Sequence, residues 1–165
     1  MKKHSELLLW IMVFMSILTL PFLGWKQIKR FLPSTLFISI FIAIEGLFAK
    51  KYNWWAVYKK IPPYFISNFA FIIGPFFAGS LWILRLTYGK FHQYILLNAV
   101  IDAIFVYPLV SFIEYMGIAA MKKMKRYQFY MTFMAKSILM YVFQWGWEKV
   151  KNRRGLEDTA GEYEI

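Results

Sequence analysis

The chain has 165 residues, 59% of them hydrophobic and 21% aromatic, with 20 Lys and Arg against 9 Asp and Glu for a net charge of +11. That apolar share exceeds the roughly 45–50% of soluble domains and excludes an ordinary water-soluble core. There is no cysteine, so disulfides, thiol nucleophiles and thiolate metal sites are excluded too.

Five apolar stretches follow one another: 7–25, 32–48, 64–84, 94–120 and 129–147. A bilayer core about 30 Å thick needs roughly 20 helical residues, so each stretch is long enough to cross. The expected fold class is all-α, a polytopic membrane helical bundle with about five transmembrane helices. One bundle is expected over residues 1–154, followed by an acidic tail, 155–165, expected to be disordered.

The first stretch opens with Lys2 and Lys3 like a secretory signal, but it outruns the usual 7–15 apolar residues and ends in Pro21, Phe22, Leu23, Gly24 and Trp25 without a small-x-small cleavage site. It reads as an uncleaved helix. The connection 49–63 places Tyr52, Trp54, Trp55 and Tyr58 between two lysine pairs, a pattern that favours the headgroup level. Trp54, Trp55 and Tyr58 are the expected interfacial anchors of a segment lying along the membrane surface. Pro62 and Pro63 should end that segment, with the third helix starting beyond them.

In the third stretch Pro75 follows Gly74 and predicts a kink. Pro108 does the same in the fourth, whose 27 residues must tilt, bend or extend past the hydrocarbon. Gly74 with Ala78, and Ala99 with Ala103, set small side chains four apart as packing surfaces.

Ionisable residues inside the stretches are the strongest functional pointers, because each costs about 2.5–3.5 kcal/mol at the bilayer centre on insertion scales unless paired or hydrated. They are Glu45, Asp102, Glu114 and Lys136. Counted from the amino-terminal face at 1.5 Å per residue, Glu45 lies roughly 6 Å deep, Glu114 roughly 9 Å and Lys136 roughly 10 Å. The matching depths predict a Glu114–Lys136 ion pair across consecutive antiparallel helices. Asp102 should lie apart, near the other end of its helix, with Asn98 four residues before it on the same face. These candidate polar or ion-binding residues read first as interhelical glue and second as a transport path.

No catalytic or metal-binding motif accompanies them. His4 and His92 have no partners at ligand spacing, no zinc-binding HExxH or glycine-rich phosphate loop occurs, and no histidine lies within a stretch to activate Ser80, Ser111 or Ser137. No cofactor is expected. Basic residues flank the stretches almost evenly, ten on the amino-terminal side and nine on the other, so the positive-inside rule selects no orientation. Their closeness to helix ends makes anionic lipid headgroups the expected partners rather than nucleic acid. The small-residue faces also allow a homo- or hetero-oligomer.

The order of Pro21, the basic turn Lys26 to Arg30 leading into Pro33, the Trp55 to Pro62 loop and the series Asn98, Asp102, Glu114, Tyr115 resembles a family of small, uncharacterised integral membrane proteins of spore-forming Gram-positive bacteria. The resemblance implies a multi-pass protein of the plasma membrane or spore membrane and supplies no catalytic residues. The expected function is a non-enzymatic, structural or interaction role in a bacterial envelope. The alternative is a small ion- or proton-coupled transporter or channel component using the intramembrane carboxylates.

Overall fold

The structure, a computed structural model, describes residues 2–58 and 69–162, with side chains over 6–58 and 69–153. The described residues are 85% helical. Its helices are α1 (Lys2–Leu18), α2 (Trp25–Tyr52), α3 (Phe69–Thr87), α4 (Phe91–Tyr115) and α5 (Arg126–Glu162), with strands β1 (Trp55–Val57) and β2 (Ala119–Met121) in two of the connections. Among the described residues four segments are long and apolar enough to cross a membrane: Glu6–Leu23, α2, α3 and α4. The fifth expected span, 129–147, lies within α5, which is not among them; Lys136, Ser137 and Gln144 dilute its apolar character, and all three are buried against other helices.

Neighbouring helices alternate in direction. α1 continues as a tight turn, Leu20–Leu23, and reverses at Gly24, whose φ of +78° is a left-handed conformation that suits glycine. Lys26 to Arg30, expected as a basic turn between helices, instead form the first turns of α2, and Pro33 stands inside that helix. The α2–α5 pairing is antiparallel: Phe37 stacks on Phe143 at 4.3 Å, and Arg30 and Ser34 face Glu148 and Gln144. α1 runs beside α3, held by the Trp82 indole donating to Thr19 Oγ1 at 3.1 Å and by Arg85 donating to the Phe22 carbonyl.

Both expected kinks occur as wide, π-type turns, Ile72–Phe76 around Pro75 and Phe105–Leu109 around Pro108. A proline has no amide to close the regular turn, and each wide turn inserts an extra residue, so everything beyond it rotates about the helix axis. At Gly74 the backbone leaves the helical region (φ −80°, ψ −108°), and a Cβ there would stand 3.3 Å from Val13 Cα. The Gly74–Ala78 face is the buried surface against which α1 packs.

The fourth stretch was expected to stay helical to residue 120, but α4 ends at Tyr115. Gly117, at φ +66°, donates to the Glu114 carbonyl at 2.9 Å and Ile118 to that of Ile113 at 3.1 Å, a Schellman ending that turns the chain back. The chain then enters β2, which pairs antiparallel with β1 in the register Trp55–Met121, Ala56–Ala120, Val57–Ala119. The aromatic connection is thus tied into a strand pair; Pro62 and Pro63 fall outside the described residues. At the other boundary α5 continues past residue 154 to Glu162. Arg153 with Glu157, and Arg154 with Asp158, place opposite charges four apart, a spacing that favours helix.

Two apolar clusters fill the interior. One, with Phe31, Ile38, Leu81, Leu84, Tyr94 and Met140, joins α2, α3, α4 and α5. The other, with Leu9, Val13, Phe71, Ile113 and Ile118, lies where α1 and the start of α3 meet the end of α4.

Candidate functional site

Between the two clusters the helices enclose charge. Lys136 on α5 donates to Glu45 Oε2 on α2 at 2.5 Å, with side chains only 7% and 11% exposed, and its ammonium also lies 4.2 Å from the centre of the Phe133 ring. The α2–α5 register brings them together. On α5, Lys136, Met140, Gln144 and Glu148 recur every four residues and form one stripe. Along α2 the partners run in the opposite order. Arg30 holds Glu148 through two bonds of 2.6 and 3.0 Å, and Ser34 donates to Gln144 Oε1 at 2.6 Å.

The expected Glu114–Lys136 pair is not formed. Glu114 Oε2 accepts from Arg126 at 2.7 Å and Oε1 from the Met121 amide at 2.8 Å. Glu114 and Lys136 border one cavity of about 70 Å³, but Arg126 and the Met121 amide, folded back by the early end of α4, hold the Glu114 carboxylate, while Glu45 takes Lys136. Arg126, at the first position of α5, also donates to the Tyr107 carbonyl and Ser111 Oγ, pinning the end of α4 to the start of α5.

Asp102 was expected far from this layer, yet it lines one cavity with Lys136. α4 ends at Tyr115 instead of 120 and α5 begins at Arg126 instead of 129. Asp102 is thus thirteen residues from its helix end and Lys136 ten from its own, about 20 and 15 Å deep at 1.5 Å per residue. The cavity holds about 110 Å³ and is bordered by Asn98, Asp102, Lys136, Ser137 and Gly79.

Asn98 and Asp102 share the buried face of α4, as their spacing predicts, but they differ in saturation. Asn98 donates to the Tyr94 carbonyl at 2.8 Å and accepts from Ser137 Oγ at 3.0 Å, while Tyr94 donates to the Ser137 carbonyl at 2.8 Å. Asp102 is 7% exposed and its Oδ2 has no hydrogen-bond partner; Thr35 Oγ1 is the other such buried side-chain atom among the described residues.

No protein-family model, curated protein or solved structure matches the chain. Chemical reading of the site therefore rests on geometry. Among the described residues no cluster of three or more His, Asp or Glu side chains could hold a metal ion. The expected anchors Trp54, Trp55 and Tyr58 gather at the strand-pair end. Trp55 packs on Phe129 at 5.1 Å, Trp54 lies 5.9 Å from Tyr52, and Lys122 Nζ is 5.6 Å above the exposed Tyr58 ring.

The Arg30, Ser34, Gln144 and Glu148 group at the opposite end was not foreseen. Its signal was the four-residue spacing on α5, hidden because Glu148 falls one residue beyond the apolar stretch. Arg30, by its hydrogen bond, holds the Glu148 carboxyl below the ordinary value of 4.5, against the opposing effect of burial.

Proposed function

We propose that the protein is a multi-pass membrane protein of a bacterial envelope whose five helices all cross the bilayer, and that Asp102 binds and releases a proton inside the bundle. Membrane residence is supported by large apolar side chains on the outward faces, among them Phe14, Leu18, Ile40, Leu96, Ile104 and Val142, all exposed. A water-soluble monomer rarely exposes so continuous an apolar surface. α5 fits as the fifth crossing because its polar stripe faces α2 and α4 while Ile138, Val142 and Trp145 face outward.

The observation that carries the proton reading is the unpartnered Oδ2 of Asp102 in a cavity shared with Lys136. A structural role, the first expectation from the sequence, is favoured by the bonding of Asn98, Ser137, Ser34 and Gln144, which already knit the helices together. Asp102 stands outside that bonding. Glu45 balances Lys136, which leaves Asp102 as a third charge in a poorly solvating interior, where proton uptake relieves the cost of an unpaired anion. The Lys136 ammonium on the same cavity wall disfavours a metal cation. The reading is non-enzymatic.

The test is proton uptake into proteoliposomes under an imposed potassium diffusion potential, followed with an internal pH dye. Uptake by the native chain and its loss in Asp102→Asn, with unchanged thermal unfolding, is the expected result. Equal uptake in both, or none above empty liposomes, would return the protein to the structural reading.

A further inference from the structure

A furrow runs down the outer seam between α2 and α5. Its lower part, about 410 Å³, is lined by Phe41, Ile44, Phe48, Ala135 and Leu139, with the Glu45–Lys136 pair at its floor. Its upper part, about 580 Å³, is lined by Lys123, Tyr127, Gln128 and Met131. Trp54 and Thr132 border both, so the two parts are continuous. We propose that this furrow binds one anionic phospholipid, its phosphate at Lys123 and Gln128 and one acyl chain along Phe48, Ile44 and Leu139.

Three features support that occupant. From Gln128 to Leu139 the furrow extends about 16 Å along α5, close to half the roughly 30 Å hydrocarbon thickness and so to the reach of one leaflet's chain. Polarity changes once along its length. The mouth offers an exposed lysine and an amide side chain beside the interfacial Trp54, and the walls below are apolar, which is the order of groups in a phospholipid. The mouth is also built in place, since Lys123 donates its amide to the Asn53 carbonyl at 3.1 Å and Met124 to that of Trp54 at 3.2 Å. A chain seated there covers the flank of the Glu45–Lys136 pair that α2 and α5 leave open, removing that ion pair from contact with loose lipid or water. The inference rests on the membrane-spanning reading but is independent of proton binding at Asp102.

The test is native mass spectrometry of the full chain released from micelles doped with equal phosphatidylglycerol and phosphatidylcholine. One retained phosphatidylglycerol per chain is expected, with Lys123→Gln lowering its retention over phosphatidylcholine about fivefold. Ala135→Trp, which fills the lower furrow, should abolish retention of either lipid while leaving the unfolding temperature within a few degrees of native. Equal retention of both lipids, phosphatidylglycerol retention unaffected by the two variants, or a second copy of the chain displaced by Ala135→Trp would each overturn the proposal. A chain that stays soluble without detergent would instead overturn the membrane reading beneath it.

Discussion

Glu45 and Lys136, 91 residues apart in the chain, meet at 2.5 Å across the seam of α2 and α5. Each side chain is nearly buried, and the surrounding walls are Ile42, Phe76, Phe105 and Phe133.

Removing one member strands the other. Glu45→Gln or Lys136→Met alone should lower the unfolding free energy in detergent by about 3–5 kcal/mol, and the double variant should recover part of that loss. The same cycle between Glu114 and Lys136 should be additive. Coupling in the second cycle and none in the first, read from thermal unfolding, would reverse the pairing described above.

Close approach of α1 to α3 depends on a missing side chain. Gly74→Ala puts a methyl 3.3 Å from Val13 Cα, and Gly74→Leu overfills the contact, with an expected loss of about 1–3 kcal/mol. Gly79, where an added Cβ meets nothing within 4 Å, supplies the control. Gly79→Ala should be neutral or slightly stabilising through helix propensity. Equal melting temperatures for the alanine variants at 74 and 79 would argue against tight α1–α3 packing.

Much of this was legible from the sequence and some was not, for identifiable reasons. Helix existence followed from apolar length, and the wide turns followed from Pro75 and Pro108. Pairing did not, because Glu114 and Glu45 both border the cavity that Lys136 lines, and no periodicity reports that Arg126 and the Met121 amide take the first carboxylate. Shared depth and the succession of the fourth and fifth helices select Glu114 for Lys136, whereas the antiparallel register of α2 and α5, visible only as the recurrence Lys136, Gln144, Glu148 against Arg30, Ser34, Glu45, selects Glu45. The strand pair escaped because three-residue strands joining distant connections leave no local pattern.

The Arg30–Glu148 pair lies at the bundle end and should respond to acid. Glu148 is held below its ordinary 4.5 in the folded chain, so its contribution is complete above that value and is lost as pH falls through the lower folded value. For a half-exposed pair that contribution is about 1 kcal/mol or less. The difference in melting temperature between native and Glu148→Gln should therefore be largest near neutrality and shrink on acidification. A difference that grows towards acid would show the sign to be wrong.

The cysteine-free chain makes sidedness directly measurable. Single cysteines at the exposed positions Glu6, Lys51 and Lys122 should react with an impermeant thiol reagent from one face of sealed vesicles, and those at Lys90 and Lys149 only from the other. Labelling of Glu6 and Lys149 from the same face would remove the five-crossing arrangement and leave the four more apolar segments as the crossings.

The pairing of β1 with β2 couples two connections, the one leaving α2 and the one entering α5, through backbone bonds such as Tyr58 to Ile118 at 2.8 Å and Lys122 to Trp54 at 3.0 Å. At the opposite end α2 and α5 are joined by side chains alone, chiefly Arg30, Ser34, Gln144 and Glu148. Separating the helices at the strand end breaks a ladder of amide bonds, while separating them at the other end exchanges side-chain contacts for water. The seam of α2 and α5 is therefore fastened by main-chain bonds at one end and by replaceable side chains at the other, so side-chain substitution loosens the second end far more readily than the first.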